Sequence, residues 1–194
     1  MLRLGILSST RGTDMLALIA AIEEQRLTAS IEIVISNKAN AIVLERAKEN
    51  RLKNIFIDSK NLTREQYDEK LSAELLMNRV DLIVLIGYMR ILSSQFIDAW
   101  RNKIINVHPS LLPEFAGGMD QNVHQAVLDS GTKISGCTVH YVTEAVDNGP
   151  ILIQKSCDVQ PNDTIETLKT RVQQLEGEAL IEVINQLAKK FTQK

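Results

Sequence analysis

The chain is poor in the features that mark several large functional classes. It has 194 residues but only two cysteines, Cys137 and Cys157. Two thiols build neither a disulfide framework nor a four-ligand zinc site by themselves. Each falls in a segment that reads as a buried strand, where a thiol packs as a small hydrophobe. The three histidines, His108, His124 and His140, lack spacings such as His-x-x-x-His that place two ligands on one helical face. No metal is expected. The apolar runs, Met15 to Ile22 and Leu82 to Ile86 followed by Gly87, are far shorter than a bilayer span. The first residues, Met1 to Ser9, carry too brief an apolar stretch for a secretory leader, so a cytoplasmic setting is the expectation. Charge is balanced, net -2, with no run of five or six like charges. Neither nucleic acid nor an anionic membrane is therefore expected as a partner. The chain also has no Gly-x-Gly-x-x-Gly fingerprint, no P-loop lysine, no internal repeat, no low-complexity tract and no linker.

What remains is an ordinary globular balance, 44% hydrophobic and 24% charged, enough for one well-filled domain spanning 1–194. Short apolar runs alternate with amphipathic stretches, the pattern of an α/β fold built on a mainly parallel sheet. Strands are expected at Leu4–Ser8, Ile31–Ser36, Asn54–Asp58, Leu82–Ile86 and Lys103–Val107, with helices at Thr13–Gln25, Ala41–Glu49 and Thr63 to about Arg79. Thr63 and Gln66 have capping-box spacing, and Ser93 is placed to cap a helix reaching Trp100. A short helix over Asn122–Leu128 ends at Ser130-Gly131. Beyond it, Ser135–Val142 and Ile151–Cys157 read as strands. The Asp147-Asn148-Gly149-Pro150 turn between them is too short for a crossover, so they should pair antiparallel. A last helix, with Asp163 as cap and Glu166 at the box position, runs toward Lys190 and buries Ile165, Leu168, Val172 and Leu175.

Four segments carry candidate chemistry. Asn106-Val107-His108-Pro109-Ser110-Leu111-Leu112-Pro113 closes an apolar strand with two polar side chains at i and i+2. They share a face, at the sheet edge where α/β proteins hold ligands. An imidazole is the usual acid or base near neutral pH, and a side-chain amide can donate to an oxyanion. A core histidine beside a capping asparagine is the structural alternative. Second, Ser9 to Asp14 joins a strand to a helix N-terminus, a natural anion site. There Gly12 permits close approach, Thr13 adds a hydroxyl and Arg11 a cation, or Thr13 simply caps the helix. Third, Asp147 can orient a histidine and favour its charged form, or serve only its turn. Fourth, Leu85 to Leu92 leaves a strand and can line a pocket for a flat heterocycle or pack beneath the sheet. Gln173 and Glu176, at i and i+3, share one face of the last helix.

Taken together these segments resemble the folate-dependent formyltransferases, specifically the branch that formylates glycinamide ribonucleotide in purine biosynthesis. The resemblance rests on Asn106 to Pro113, Gly87 to Leu92, Ser36-Asn37-Lys38 and Asp147 to Pro150, and extends over nearly the whole chain. It implies a Rossmann-like fold with helices on both faces of the sheet. About 1–100 would form a phosphate-binding half, and about 101–194 a catalytic and folate-binding half. It implies Asn106, His108 and Asp147 as a catalytic trio. Asn106, Arg64, Met89, Arg90, Ile91, Leu92 and Val142 would contact 10-formyltetrahydrofolate, the formyl donor. Arg11, Gly12, Thr13, Asp14, Pro109, Gln173 and Glu176 would contact the ribonucleotide. The substrates would be small molecules, and a homodimer is one assembly it allows. The substrate amine would attack the formyl carbon, Asn106 would donate to the oxyanion, and His108, kept protonated by Asp147, would pass a proton to the leaving folate nitrogen.

Two departures stand out. The family's usual first turn is Gly-x-Gly-Ser-Asn, whereas this chain has Asp14 where the neutral amide stands, and its loop Phe115 to Asp120 is longer. Methionyl-tRNA and sugar-nucleotide formyltransferases share the Asn-x-His-Pro-Ser core, but usually carry more chain for their acceptors. Formyltetrahydrofolate hydrolase would add an N-terminal regulatory domain. A non-catalytic nucleotide- or folate-binding module would keep the pockets but has no use for three converging polar groups.

Overall fold

The computed structural model describes residues 1–118 and 121–192, so Met119 and Asp120 of the longer loop lie outside the described residues. Seven strands form one sheet in the order β3-β2-β1-β4-β5-β6-β7. The parallel part comprises β1 (Leu2–Leu7), β2 (Ala29–Ser36), β3 (Asn54–Phe56), β4 (Leu82–Leu85) and β5 (Ile104–His108). The last two strands, β6 (Ile134–Tyr141) and β7 (Ile151–Asp158), add antiparallel, as the brief connection between them requires. Chain order reverses beside β1: β2 leaves on one side and β4 on the other. The crevice at the carboxyl ends of β1 and β4 is therefore the topological switch point, where open α/β sheets bind ligands.

The period-2 alternation of the central strands feeds two apolar layers. Leu4 and Ile6 of β1, Leu82 and Val84 of β4, and Ile105 and Val107 of β5 join one layer. Leu7, Ile83, Leu85 and Ile104 join the other. The first layer is closed by α1 (Thr13–Glu23), α2 (Ile42–Glu49), α5 (Gln121–Ser130) and the long α6 (Ile165–Thr192), and the second by α3 (Arg64–Met77) and α4 (Ser94–Ala99). Continuous apolar strands such as β4 are the consequence of covering both faces. On β5 the second face changes character along its length: Ile104 packs in the apolar layer, and the next two residues on that face are Asn106 and His108.

Local signals account for most element ends. Thr63 accepts from Gln66 N–H and the Gln66 side chain accepts from Thr63 N–H, the expected capping box. Ser93 accepts from Phe96 N–H and caps α4. Helix α1 is capped differently from the Thr13 alternative: its cap is Gly12 in the left-handed region, with no side-chain cap bond. Helix α6 begins later than expected. Asp163 is not its cap, because Arg171 grips both oxygens of that carboxylate, at 2.7 and 2.9 Å. Thr164 takes over by accepting from Thr167 N–H, while the Thr167 hydroxyl accepts from Thr164 N–H. Cys137 is buried as expected, but Cys157 on β7 is only half-buried. Among the described residues no helix is long and apolar enough to cross a membrane.

Candidate active site

A cavity of about 260 Å³ opens at the switch point and continues along the ends of β4 and β5. Its floor is the Asn106–His108 end of β5. One wall is the β1–α1 turn together with the N-terminal half of α6, and the other is the Gly87–Leu92 loop. The Val142–Asp147 loop after β6 closes the rim. The lining therefore draws on residues both before and after position 100.

The polar centre follows from the ladder between β5 and β6. Asn106 lies directly opposite His140, and their side chains meet at 3.2 Å between Asn106 Nδ2 and His140 Nε2. His140 Nδ1 is 2.9 Å from the Tyr141 carbonyl, which can only accept, so Nδ1 carries the hydrogen. Nε2 faces both the Asn106 amide and Asp147 Oδ1, and Asn106 keeps an N–H for a ligand. Asp147 reaches both histidines. Its Oδ2 is 3.4 Å from His108 Nδ1, and its Oδ1 is 3.6 Å from His140 Nε2. The loop that delivers it has a left-handed Asp147 (φ 52°), a conformation that aspartate tolerates better than most residues. The Phe115–Gly118 segment closes the ring: Gly117 N–H donates to Asp147 Oδ2 at 2.9 Å, and the Phe115 carbonyl lies 3.1 Å from His108 Nε2.

Electrostatics modify one expectation. Burial works against the Asp147 charge, but the His140 ring, the Gly117 N–H and His108 outweigh it, and the carboxyl lies below its ordinary range. His108 is 3% exposed. Burial depresses its pKa more than Asp147 and the Phe115 carbonyl raise it, and the ring falls below its ordinary value. Asp147 thus contacts His108 and offsets part of the burial that disfavours its cation. The cation, once formed, finds an acceptor at each ring nitrogen.

The β1–α1 turn ends in a helix N-terminus, a geometry that can receive an anion. Gly12 holds φ 59°, and a Cβ there would stand 2.4 Å from Val43 Cγ2, so both conformation and space demand glycine. The turn presents the N-terminus of an eleven-residue helix to the cavity through Gly12, Thr13 and Asp14. Arg46 of α2, which sequence reading missed, supports it: its guanidinium donates to the Arg11 carbonyl at 2.8 Å and lies 3.5 Å from Thr13 Oγ1.

Of the residues singled out in the sequence, Arg11, Gly12, Thr13, Asp14, Met89, Arg90, Ile91, Leu92, Asn106, His108, Pro109, Val142, Asp147, Gln173 and Glu176 all line this cavity. Arg64 does not: it begins α3, exposed and outside the lining. Sequence reading passed over His140, His124 and Lys169, which also line it. Lys169 had a legible signal, since it stands four residues before Gln173 and seven before Glu176, on one helical face. His140 had none until the β5–β6 register was known.

Comparison with known proteins agrees with this architecture. A formyl transferase family model matches residues 2–184. The chain is 35% identical over 188 residues to phosphoribosylglycinamide formyltransferase of Bacillus subtilis, covering 96% of this chain and 95% of that protein. It is 44% identical over 173 residues to the trifunctional purine biosynthetic protein adenosine-3 of Drosophila pseudoobscura pseudoobscura, covering 88% of this chain but spanning only 12% of that protein's length. The crystal structure of glycinamide ribonucleotide transformylase 1 from Symbiobacterium toebii superposes with a TM-score of 0.92 at 37% identity, over 98% of this chain and 89% of that one.

Proposed function

The chain belongs to the formyl transferase family, and from that premise we propose that it moves a formyl group from 10-formyltetrahydrofolate to the amine of glycinamide ribonucleotide, a step of purine biosynthesis. The observation that carries this reading is the meeting of Asn106, His108 and Asp147 in one cavity whose two arms suit two different ligands. The arm at Gly12–Asp14, backed by Arg46, suits the phosphate of the acceptor. The arm at Met89–Leu92 and Val142 suits the folate.

In this reading the acceptor's amine places its lone pair on the formyl carbon, and the carbonyl π pair moves to oxygen. The remaining Asn106 N–H donates to that oxyanion. His108, with Nδ1 turned to Asp147, takes at Nε2 the proton that the attacking nitrogen releases. Asp147 stabilises the resulting imidazolium. As the intermediate collapses, the bond from carbon to the folate nitrogen breaks. Its electron pair stays on that nitrogen, which receives the proton from His108. No covalent enzyme intermediate is needed. His108 Nε2 faces the Phe115 carbonyl, so that carbonyl must give way for this nitrogen to reach a ligand.

The test is a steady-state assay with 10-formyltetrahydrofolate in the presence and absence of glycinamide ribonucleotide. The reading expects donor consumption only when the ribonucleotide is present, with one formylated amine per donor consumed. Equal consumption without acceptor, releasing formate, would replace it with the hydrolase reading.

A further inference from the structure

The donor side of the cavity is formed by a segment with almost no structure of its own. Arg90, Ile91 and Leu92 lie between β4 and α4, and their main-chain groups make no hydrogen bond with any other described residue. Main-chain hydrogen bonds hold such a span only at its ends, while the buried Leu92 side chain packs into the apolar layer beneath it. At the first end, Met89 N–H donates to Ser9 Oγ at 2.7 Å, and that hydroxyl donates to Asn37 Oδ1 at 2.6 Å. At the second end, Ser93 N–H donates to Asp68 Oδ2 at 2.6 Å. Asp68 sits on α3 at 3% exposure. A carboxylate this buried is costly unless it is put to use. Its neighbour Tyr67 offers a ring face to the Arg90 guanidinium, 4.2 Å from the centroid, so α3 grips the segment at two points.

We propose that Asp68 is a positioning residue for the formyl donor: through Ser93 N–H it fixes the Arg90–Leu92 main chain at the spacing a flat, hydrogen-bonding heterocycle requires. The inference rests on the donor assignment made above. Asp68 itself is not in the cavity lining, and acts through the span it holds. Unpaired main-chain groups read a heterocycle well only if they are fixed before it arrives, since misplacement by a fraction of an ångström is costly. The acceptor side hangs from β1, α1 and α2, where Asp68 makes no hydrogen bond. Its removal should therefore be felt by one substrate only.

The experiment compares Asp68→Ala and Asp68→Asn with the unmodified protein. It reads KM for each substrate, kcat, and the Kd of tetrahydrofolate by calorimetry. Loss of one charge-assisted hydrogen bond should raise donor KM and tetrahydrofolate Kd about tenfold in Asp68→Ala. Ribonucleotide KM should stay within about twofold. Asn keeps an oxygen that accepts from Ser93 N–H, so Asp68→Asn should recover most of the loss. An unchanged donor KM in Asp68→Ala, an equal rise for both substrates, or an Asn variant as impaired as Ala would each overturn the proposal. Should Asp68→Ala not fold, Asp68→Leu, of similar volume, is judged by the same criteria. Failure of both to fold also overturns it, because the carboxylate would then serve the fold and not the donor. If the unmodified protein transfers no formyl group but tetrahydrofolate affinity still falls in Asp68→Ala, the error lies in the assigned reaction.

Discussion

Replacing Asp147 with asparagine isolates the electrostatic part of the proposed chemistry. The substitution removes the charge and keeps the shape, and an Asn Oδ1 can still accept from Gly117 N–H as Asp147 Oδ2 does at 2.9 Å. The loop should therefore stay in place. The carboxylate lies 3.4 Å from His108 Nδ1. Coulomb's law at an effective dielectric constant near 20 gives about 5 kcal/mol for unit charges at that separation. Neighbouring charges in proteins typically shift a pKa by about 1–3 units, or ~1.4–4 kcal/mol. His108 is already depressed by burial. Removing the anion that stabilises its cation must push it lower still. The acid limb of the kcat profile, which follows protonation of His108, should move to lower pH by a similar number of units. The plateau above it should fall about ten- to a thousandfold, because the imidazolium formed during proton transfer loses its counterion. NMR titration of the His108 ring in both proteins reads the shift directly. An unchanged midpoint, or a plateau rate equal to that of the unmodified protein, would refute the reasoning and leave Asp147 as a turn residue.

His108→Ala should lower kcat by about 10²–10⁴, and Asn106→Ala by about 10²–10³, with melting temperatures little changed. Full turnover in either would remove that residue from the mechanism. Gly12→Ala forces a side chain into a left-handed position 2.4 Å from Val43. It should raise KM for the ribonucleotide well above any change in donor KM, which separate titration of the two substrates checks. Thr63→Ala breaks the capping box of α3 and should cost about 1 kcal/mol in urea unfolding without altering kcat.

Sequence patterning carried far at the level of elements, and less far at the level of partners. The short apolar runs of β1, β4 and β5, the Thr63–Gln66 box, the Ser93 cap and the antiparallel β6–β7 pair were all legible, because each depends on residues close in the chain. The same-face placement of Asn106 and His108 was legible for the same reason. The α6 cap was misjudged by one residue: the Asp163 carboxylate turns to Arg171, Gln160 N–H and the Thr167 hydroxyl, and Thr164 caps in its place. His140 and Arg46 escaped notice because their roles arise from pairing register and helix packing. The His108–Asp147 contact depends on a left-handed residue in a loop far along the chain. For the ionisation of His108, sequence names the neighbouring carboxylate but not the depth of burial that opposes it.

The central claim is direct passage of a formyl group between two ligands held in one cavity. It is tested most directly by a single-turnover experiment with ¹³C-formyl-labelled donor, excess protein and glycinamide ribonucleotide, followed by NMR. The account predicts that the label leaves the folate nitrogen and appears on the acceptor amide at the same rate, with none passing through solution. Label emerging as free formate, ahead of or instead of the amide, would contradict it.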